Sequence, residues 1–187
     1  MRKVLALALI SLALCLPAFG ASRSEMKRMG TFLSNFTELG MYSIDIDTIP
    51  FSALVRFGVW HNYHNNFTSR IKPCPNRNCP HGDLIIDKKF AAESVRKFFD
   101  LELEHSSTEN EYYDGRVYHF EGADGEIPYY ADVQEVSRRG GVITMRGELY
   151  SAEDNSDRPA TFTATAKPHR YDGKDTWSIL SLNVRWK

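Results

Sequence analysis

Apolar and polar positions follow three rhythms along this chain. Residues 4–16 are a nearly unbroken apolar run behind Arg2 and Lys3. Residues 23–38 carry Met26, Met29, Phe32, Leu33 and Phe36 at helical spacing, with Gly40 just past the last of them, which predicts an amphipathic helix closed by a glycine. Residues 41–47 alternate, with Tyr42, Ile44 and Ile46 on one side, as a short strand does. Pro50 opens a second helix in which Phe51, Leu54, Val55, Val59 and Tyr63 form one stripe. Phe57, Trp60, His61 and His64 form another beside it, so this helix is expected to lie between other elements. Asn65-Asn66 and a Pro- and Asn-rich loop interrupt the pattern. After the short apolar run 84–86, Asp87 is placed to cap a third helix over 88–101, with Ala91, Val95, Phe98 and Phe99 facing inward.

From residue 110 the period becomes two. Asp114-Gly115, Asp124-Gly125, Gly140-Gly141, Asn155-Ser156-Asp157 and Asp172-Gly173 punctuate the chain as reversals. The strands predicted between them cover about 110–113, 116–122, 127–137, 142–152, 159–169 and 175–186. In the last, Leu180, Leu182, Val184 and Trp186 share one face and Trp177 and Ile179 the other. Short turns between consecutive strands give antiparallel pairing, hence a single six-stranded meander. Helices first and a meander second define an α+β domain with helices packed on a curved antiparallel sheet. A small open β-barrel with helices is the alternative.

Residues 1–20 combine a basic start, an apolar stretch and Ala18-Phe19-Gly20 before Ala21, the layout of a signal peptide cleaved after Gly20. The apolar run falls short of the ~20 residues that cross a bilayer, and Leu14 before Cys15 does not suit lipid attachment. The expected product is a periplasmic or secreted protein of one domain, residues 21–187, without a membrane span. With Arg2 and Lys3 removed, 21 of the 23 basic residues face 24 acidic ones, a net charge of −3. The basic residues are scattered, so nucleic acid is not an expected partner.

Cys74 and Cys79 remain in Pro73-Cys74-Pro75-Asn76-Arg77-Asn78-Cys79-Pro80-His81. A lone close pair in an exported chain is expected to form a disulfide. A zinc knuckle using both thiolates and His81 has suitable spacing but no fourth ligand nearby, so no metal and no cofactor are expected.

Two groups of side chains are candidates for ligand binding. Trp60, His61 and His64 lie together on the second helix, and His61 and His64 share a face three residues apart. Tyr130 and Asp132 alternate outward from one strand, as do Arg146 and Glu148 from the next. On a concave face, Tyr130, Asp132 and Glu148 would form an acid/base set; on a solvated face they are cross-strand ion pairs. Nucleophile motifs and phosphate-binding glycine loops are absent.

The order of elements, helices followed by a long meander, resembles the NTF2-like and cystatin-like superfold over most of the chain after residue 20. That resemblance implies a curved sheet wrapped around helices and a cone-shaped pocket, and it supplies no function of its own. The expected role is a non-catalytic module that binds a small ligand or an envelope protein. An acid/base enzyme of the NTF2-like kind is one alternative, and an assembly domain acting through a sheet edge is another.

Overall fold

The structure, a computed structural model, describes residues 21–122 and 128–187. The expected signal peptide and the Asp124-Gly125 reversal lie outside them. The described chain is α+β, with three helices and two antiparallel sheets, and neither sheet closes into a barrel. None of its helices is long and apolar enough to cross a membrane.

Helix α1 (Arg23–Thr37) starts where Ser22 Oγ accepts the Glu25 N–H at 3.1 Å. Past its end Gly40 takes φ +69°, a conformation that glycine adopts without steric cost. Strand β1 (Ser43–Asp45) follows. Helix α2 (Phe51–Arg70) is kinked at Asn66, where the sequence pattern breaks, and runs directly into β2 (Ile71–Pro73). Strand β3 (Leu84–Asp87) leads into α3 (Lys88–Phe99), with Asp87 Oδ1 accepting the Lys89 N–H at 3.0 Å. Strands β4 (Tyr112–Tyr113), β5 (Val117–Phe120), β6 (Tyr129–Arg139), β7 (Val142–Ser151), β8 (Ala160–Tyr171) and β9 (Lys174–Trp186) complete the chain.

The single six-stranded meander is corrected. Strands β6 to β9 form a meander, and β1 adds antiparallel to β9, giving the order β1-β9-β8-β7-β6. Strands β4 and β5 leave it and join β2 and β3 in a second sheet, β2-β3-β5-β4. The reason lies in the apolar run 84–86, which needs a strand partner and finds it in β5, with Ile86 opposite Tyr118. Consecutive turns specify local pairing, and they do not specify which sheet a hairpin joins.

A second correction concerns β9. A bulge between Thr165 and Ala166 in the β8–β9 register takes Leu180 out of the pairing. The inserted residue shifts the two-residue period, so Trp177 and Ile179 before it bury on the same side as Leu182 after it. The face of β8 that carries Ala160, Phe162, Ala164 and Ala166 is buried with them. The opposite face, with Thr161 and Thr163, is exposed.

The region expected to hold a cone-shaped pocket is filled by rings. Phe36 touches Phe32, Phe57, Phe98 and Phe99 with centroids 5.2–5.8 Å apart, and Trp177 of β9 closes on Phe32 at 5.8 Å. These side chains come from α1, α2, α3 and the large sheet, so the aromatic cluster joins the layers. Helices α2 and α3 cross at Gly58, where a Cβ would sit 2.8 Å from the Ala91 carbonyl oxygen.

Candidate functional site

The candidates on α2 separate. His61 is buried, and both of its ring nitrogens are engaged: Nε2 with Asn35 Oδ1 at 3.1 Å and Nδ1 with Ser94 Oγ at 3.0 Å. Asn35 Nδ2 donates to the Thr31 carbonyl, which leaves its Oδ1 to accept from His61 Nε2–H. Ser94 Oγ accepts from Asn62 Nδ2 at 2.8 Å and donates its own proton to His61 Nδ1. The network thus fits a neutral imidazole. Burial, followed by the charges of Lys97 and Arg70, lowers the His61 pKa to about 3. His64 is exposed and lies beside the rings of Trp60 and Tyr63. Trp60 donates its Nε1–H to Glu111 Oε1 at 2.8 Å, and Thr108 Oγ1 donates to the other carboxylate oxygen.

Tyr130, Asp132, Arg146 and Glu148 project from the face of the large sheet opposite the ring cluster. Tyr130 stands opposite Tyr150, and Asp132 opposite Glu148. Asp132 pairs with Arg158 at 3.3 Å, Glu148 with Lys187 at 2.8 Å and Arg146 with Glu135 at 3.7 Å. The Lys187 hydrogen bond leads the causes that hold the Glu148 carboxyl below its ordinary range. His61 is therefore on the buried side, while both carboxylates are on the open side, each beside a cation. Tyr130 and Asp132 also line an open groove of ≈790 Å³ between α1 and β6, together with Lys27, Glu38 and Tyr150.

A different set of side chains converges on the small sheet. Its residues alternate: Ile71, Ile86, Tyr118 and Phe120 are buried, while Lys72, Ile85, His119 and Tyr112 occupy the other face, in register from β2 to β4. The cysteine loop folds over that second face. Cys74 follows β2 and donates its N–H to the Asp83 carbonyl at 2.7 Å. The Asn76 side chain accepts from Asn78 N–H at 3.1 Å, and its carbonyl accepts from Cys79 N–H at 3.0 Å, which turns the loop back on itself. At Gly82, φ is +122° and a Cβ would lie 2.1 Å from the Phe120 carbonyl, so only glycine lets the loop approach β5 this closely.

The result is a three-residue cluster. The Sγ atoms of Cys74 and Cys79 and the ring nitrogen of His119 lie within 4.8 Å of one another. His119 Nδ1 is 3.4 Å from the Cys79 sulfur and 3.7 Å from that of Cys74. The other nitrogen, Nε2, faces Asp114 Oδ2 at 3.2 Å. Asp114 is held in turn by the Arg116 and Val117 N–H groups, both 2.8 Å from its Oδ1. Those bonds, that from Val117 foremost, lower the Asp114 pKa to about 2 and hold its carboxylate toward His119 Nε2. His119 Nδ1 faces both sulfurs. His81 lies outside the trio, with its ring stacked on Tyr112 at a centroid distance of 3.7 Å. Beside the trio a cleft of ≈610 Å³ is lined by Arg56, Trp60, His81 and Tyr112.

The chain matches no protein-family model, no curated protein and no solved structure.

His119 and Asp114 were not legible as site residues in the sequence. The available signal was alternation around an Asp-Gly turn, which puts His119 on the polar face of its strand. Only the pairing of β3 with β5 places that face under the cysteine loop.

Proposed function

We propose that this chain is an exported, non-catalytic module that binds a small ligand, and that its binding face is the loop-covered side of the small sheet. The observation that carries this reading is the convergence of Cys74, Cys79 and His119 from two separate hairpins. Asp132 and Glu148, the acid/base candidates, instead stand against cations on an open sheet face. The cleft lined by Trp60, His81 and Tyr112 supplies the combination of aromatic and polar groups that small-ligand sites use. Export is supported by residues 1–20, and cleavage after Gly20 would leave the Ser22 cap of α1 intact.

Assembly through the β6 edge of the large sheet has less support. Edge strand β6 is covered by α1: Ser34 Oγ accepts the Ala131 N–H at 3.0 Å, and Thr37 Oγ1 donates to the Tyr129 carbonyl at 2.5 Å. At its other end this edge carries Arg138 and Arg139, and Arg138 is paired with Glu25 in the first turn of α1 at 2.7 Å.

The test is the thermal stability of the reduced mature protein against a library of metabolites. A ligand at a hundred times its Kd raises stability by about 2.7 kcal/mol. The expected gain is lost in Tyr112→Ala, His81→Ala or Cys74→Ser. A gain that survives all three substitutions and disappears in Lys27→Ala places the site in the α1–β6 groove and removes this reading.

A further inference from the structure

We propose that Cys74, Cys79 and His119 bind a thiophilic closed-shell metal cation such as zinc, with Asp114 fixing the histidine and a fourth coordination position left to water or an incoming ligand. The inference rests on the preceding reading of the binding face and names its ligand.

The donor set is the first argument. Two thiolates and an imidazole are soft and borderline ligands, which select Zn²⁺ or Cu⁺ over Mg²⁺ or Ca²⁺. Geometry is the second. With Zn–S of about 2.3 Å and Zn–N of about 2.0 Å in a tetrahedron, neighbouring sulfur and nitrogen ligands lie about 3.5 Å apart. The two sulfur–nitrogen separations here are 3.4 and 3.7 Å. Two edges of the trio therefore match such a site before any ion is placed in it, and the third, between the sulfurs, is no longer than 4.8 Å.

The third argument is the tautomer. A histidine ligand needs an unprotonated nitrogen toward the metal, and metal-bound histidines commonly donate the other N–H to a carboxylate. The geometry suits both conditions: Asp114 Oδ2, five residues upstream across the β4–β5 turn, stands 3.2 Å from Nε2, while Nδ1 faces the two sulfurs. Both cysteines are free here, so a thiol S–H can satisfy Nδ1 one sulfur at a time, whereas a shared cation engages all three donor atoms together.

Three protein ligands leave the fourth position of a tetrahedral ion open to an exogenous ligand. His81 stays on Tyr112 in this assignment, and the open position is left to small molecules entering beside the loop.

The experiment uses the full mature protein, reduced and handled without oxygen, titrated with zinc in competition with a chromophoric chelator. One ion per chain is expected. Affinity should fall at least a hundredfold in Cys74→Ser and in His119→Ala. Asp114→Asn should retain binding but weaken it roughly 10–100-fold, as the loss of an orienting partner does. Cobalt substitution should give sulfur-to-metal charge-transfer absorption together with the visible bands of a tetrahedral ion, and both should vanish in Cys79→Ser. Azide or a small exogenous thiol added to the cobalt form should shift its visible bands; bands that do not respond overturn the open position.

Zinc bound no better by the wild-type chain than by the Cys74→Ser/Cys79→Ser double variant overturns the assignment. So does mature protein, trapped with an alkylating agent on isolation, that carries a Cys74–Cys79 disulfide and no metal. In either case the broader reading stands if a metabolite still stabilises the protein and Tyr112→Ala abolishes that effect. It falls as well if no ligand acts through this face.

Discussion

Ser34 Oγ lies 3.0 Å from the backbone nitrogen of Ala131 and accepts its N–H, so a helix side chain occupies the place that a neighbouring strand would take beside β6. The same hydroxyl donates to the Gly30 carbonyl at 2.9 Å, one turn earlier. Gly30 allows this approach, because a Cβ there would lie 2.6 Å from the Ala131 carbonyl oxygen. The sheet edge is thus closed from within the chain, and its position is set by one hydroxyl and one missing side chain.

Ser34→Ala is expected to destabilise the protein by about 1–3 kcal/mol, because it leaves the buried Ala131 N–H without an acceptor. Thr31→Ala, on the exposed side of the same helix, should stay within about 0.5 kcal/mol of wild type. Urea unfolding followed by circular dichroism measures both. Equal effects for the two substitutions would show that α1 does not hold the edge.

His61 gives the stability a sign-defined pH dependence. The folded protein holds its pKa at about 3, against 6.5 for an ordinary histidine. Above pH 6.5 the residue is neutral in both states and contributes no slope. Between pH 6.5 and about 3 the unfolded chain takes up a proton that the folded chain refuses, so stability is lost as pH falls. The limiting slope is about 1.4 kcal/mol per pH unit. Denaturant midpoints between pH 7 and pH 4 should fall more steeply for wild type than for His61→Gln, and parallel curves would contradict the neutral network.

Trp60 anchors a buried carboxylate. Glu111 is 2% exposed and accepts from Trp60 and Thr108. Trp60→Phe should cost about 1.5–3 kcal/mol, the scale of a hydrogen bond to a charged group. In a double-mutant cycle with Glu111→Gln the two effects should not add. Additive losses would assign the tryptophan to packing.

Gly82→Ala should disrupt the cysteine loop more than an unfavourable φ explains. Gly115 has φ +99° with open space around it, so alanine there carries only the conformational cost of about 1–2 kcal/mol. At Gly82 the added carbon also meets the β5 backbone at 2.1 Å. Gly82→Ala is therefore expected to lower Tm further than Gly115→Ala and to speed the reaction of Cys74 with a thiol reagent. Equal behaviour of the two variants would place the loop away from β5.

The sequence by itself determined the local structure. Apolar spacing, Asp87 at a helix start and glycines at reversals define α1, α3 and the hairpins of the large sheet to within two residues, because these signals act within a few positions along the chain. It also marked Cys74 and Cys79 as a chemical feature. Tertiary structure decided what no short window contains: the transfer of β4 and β5 to a second sheet, the bulge that puts Trp177, Ile179 and Leu182 on one side, and the entry of His119 beneath a loop 40 residues earlier. The physical reason is that strand pairing is specified by partners, not neighbours. Alternation states that His119 faces away from the core, and only the strand beside it determines that it faces two sulfurs.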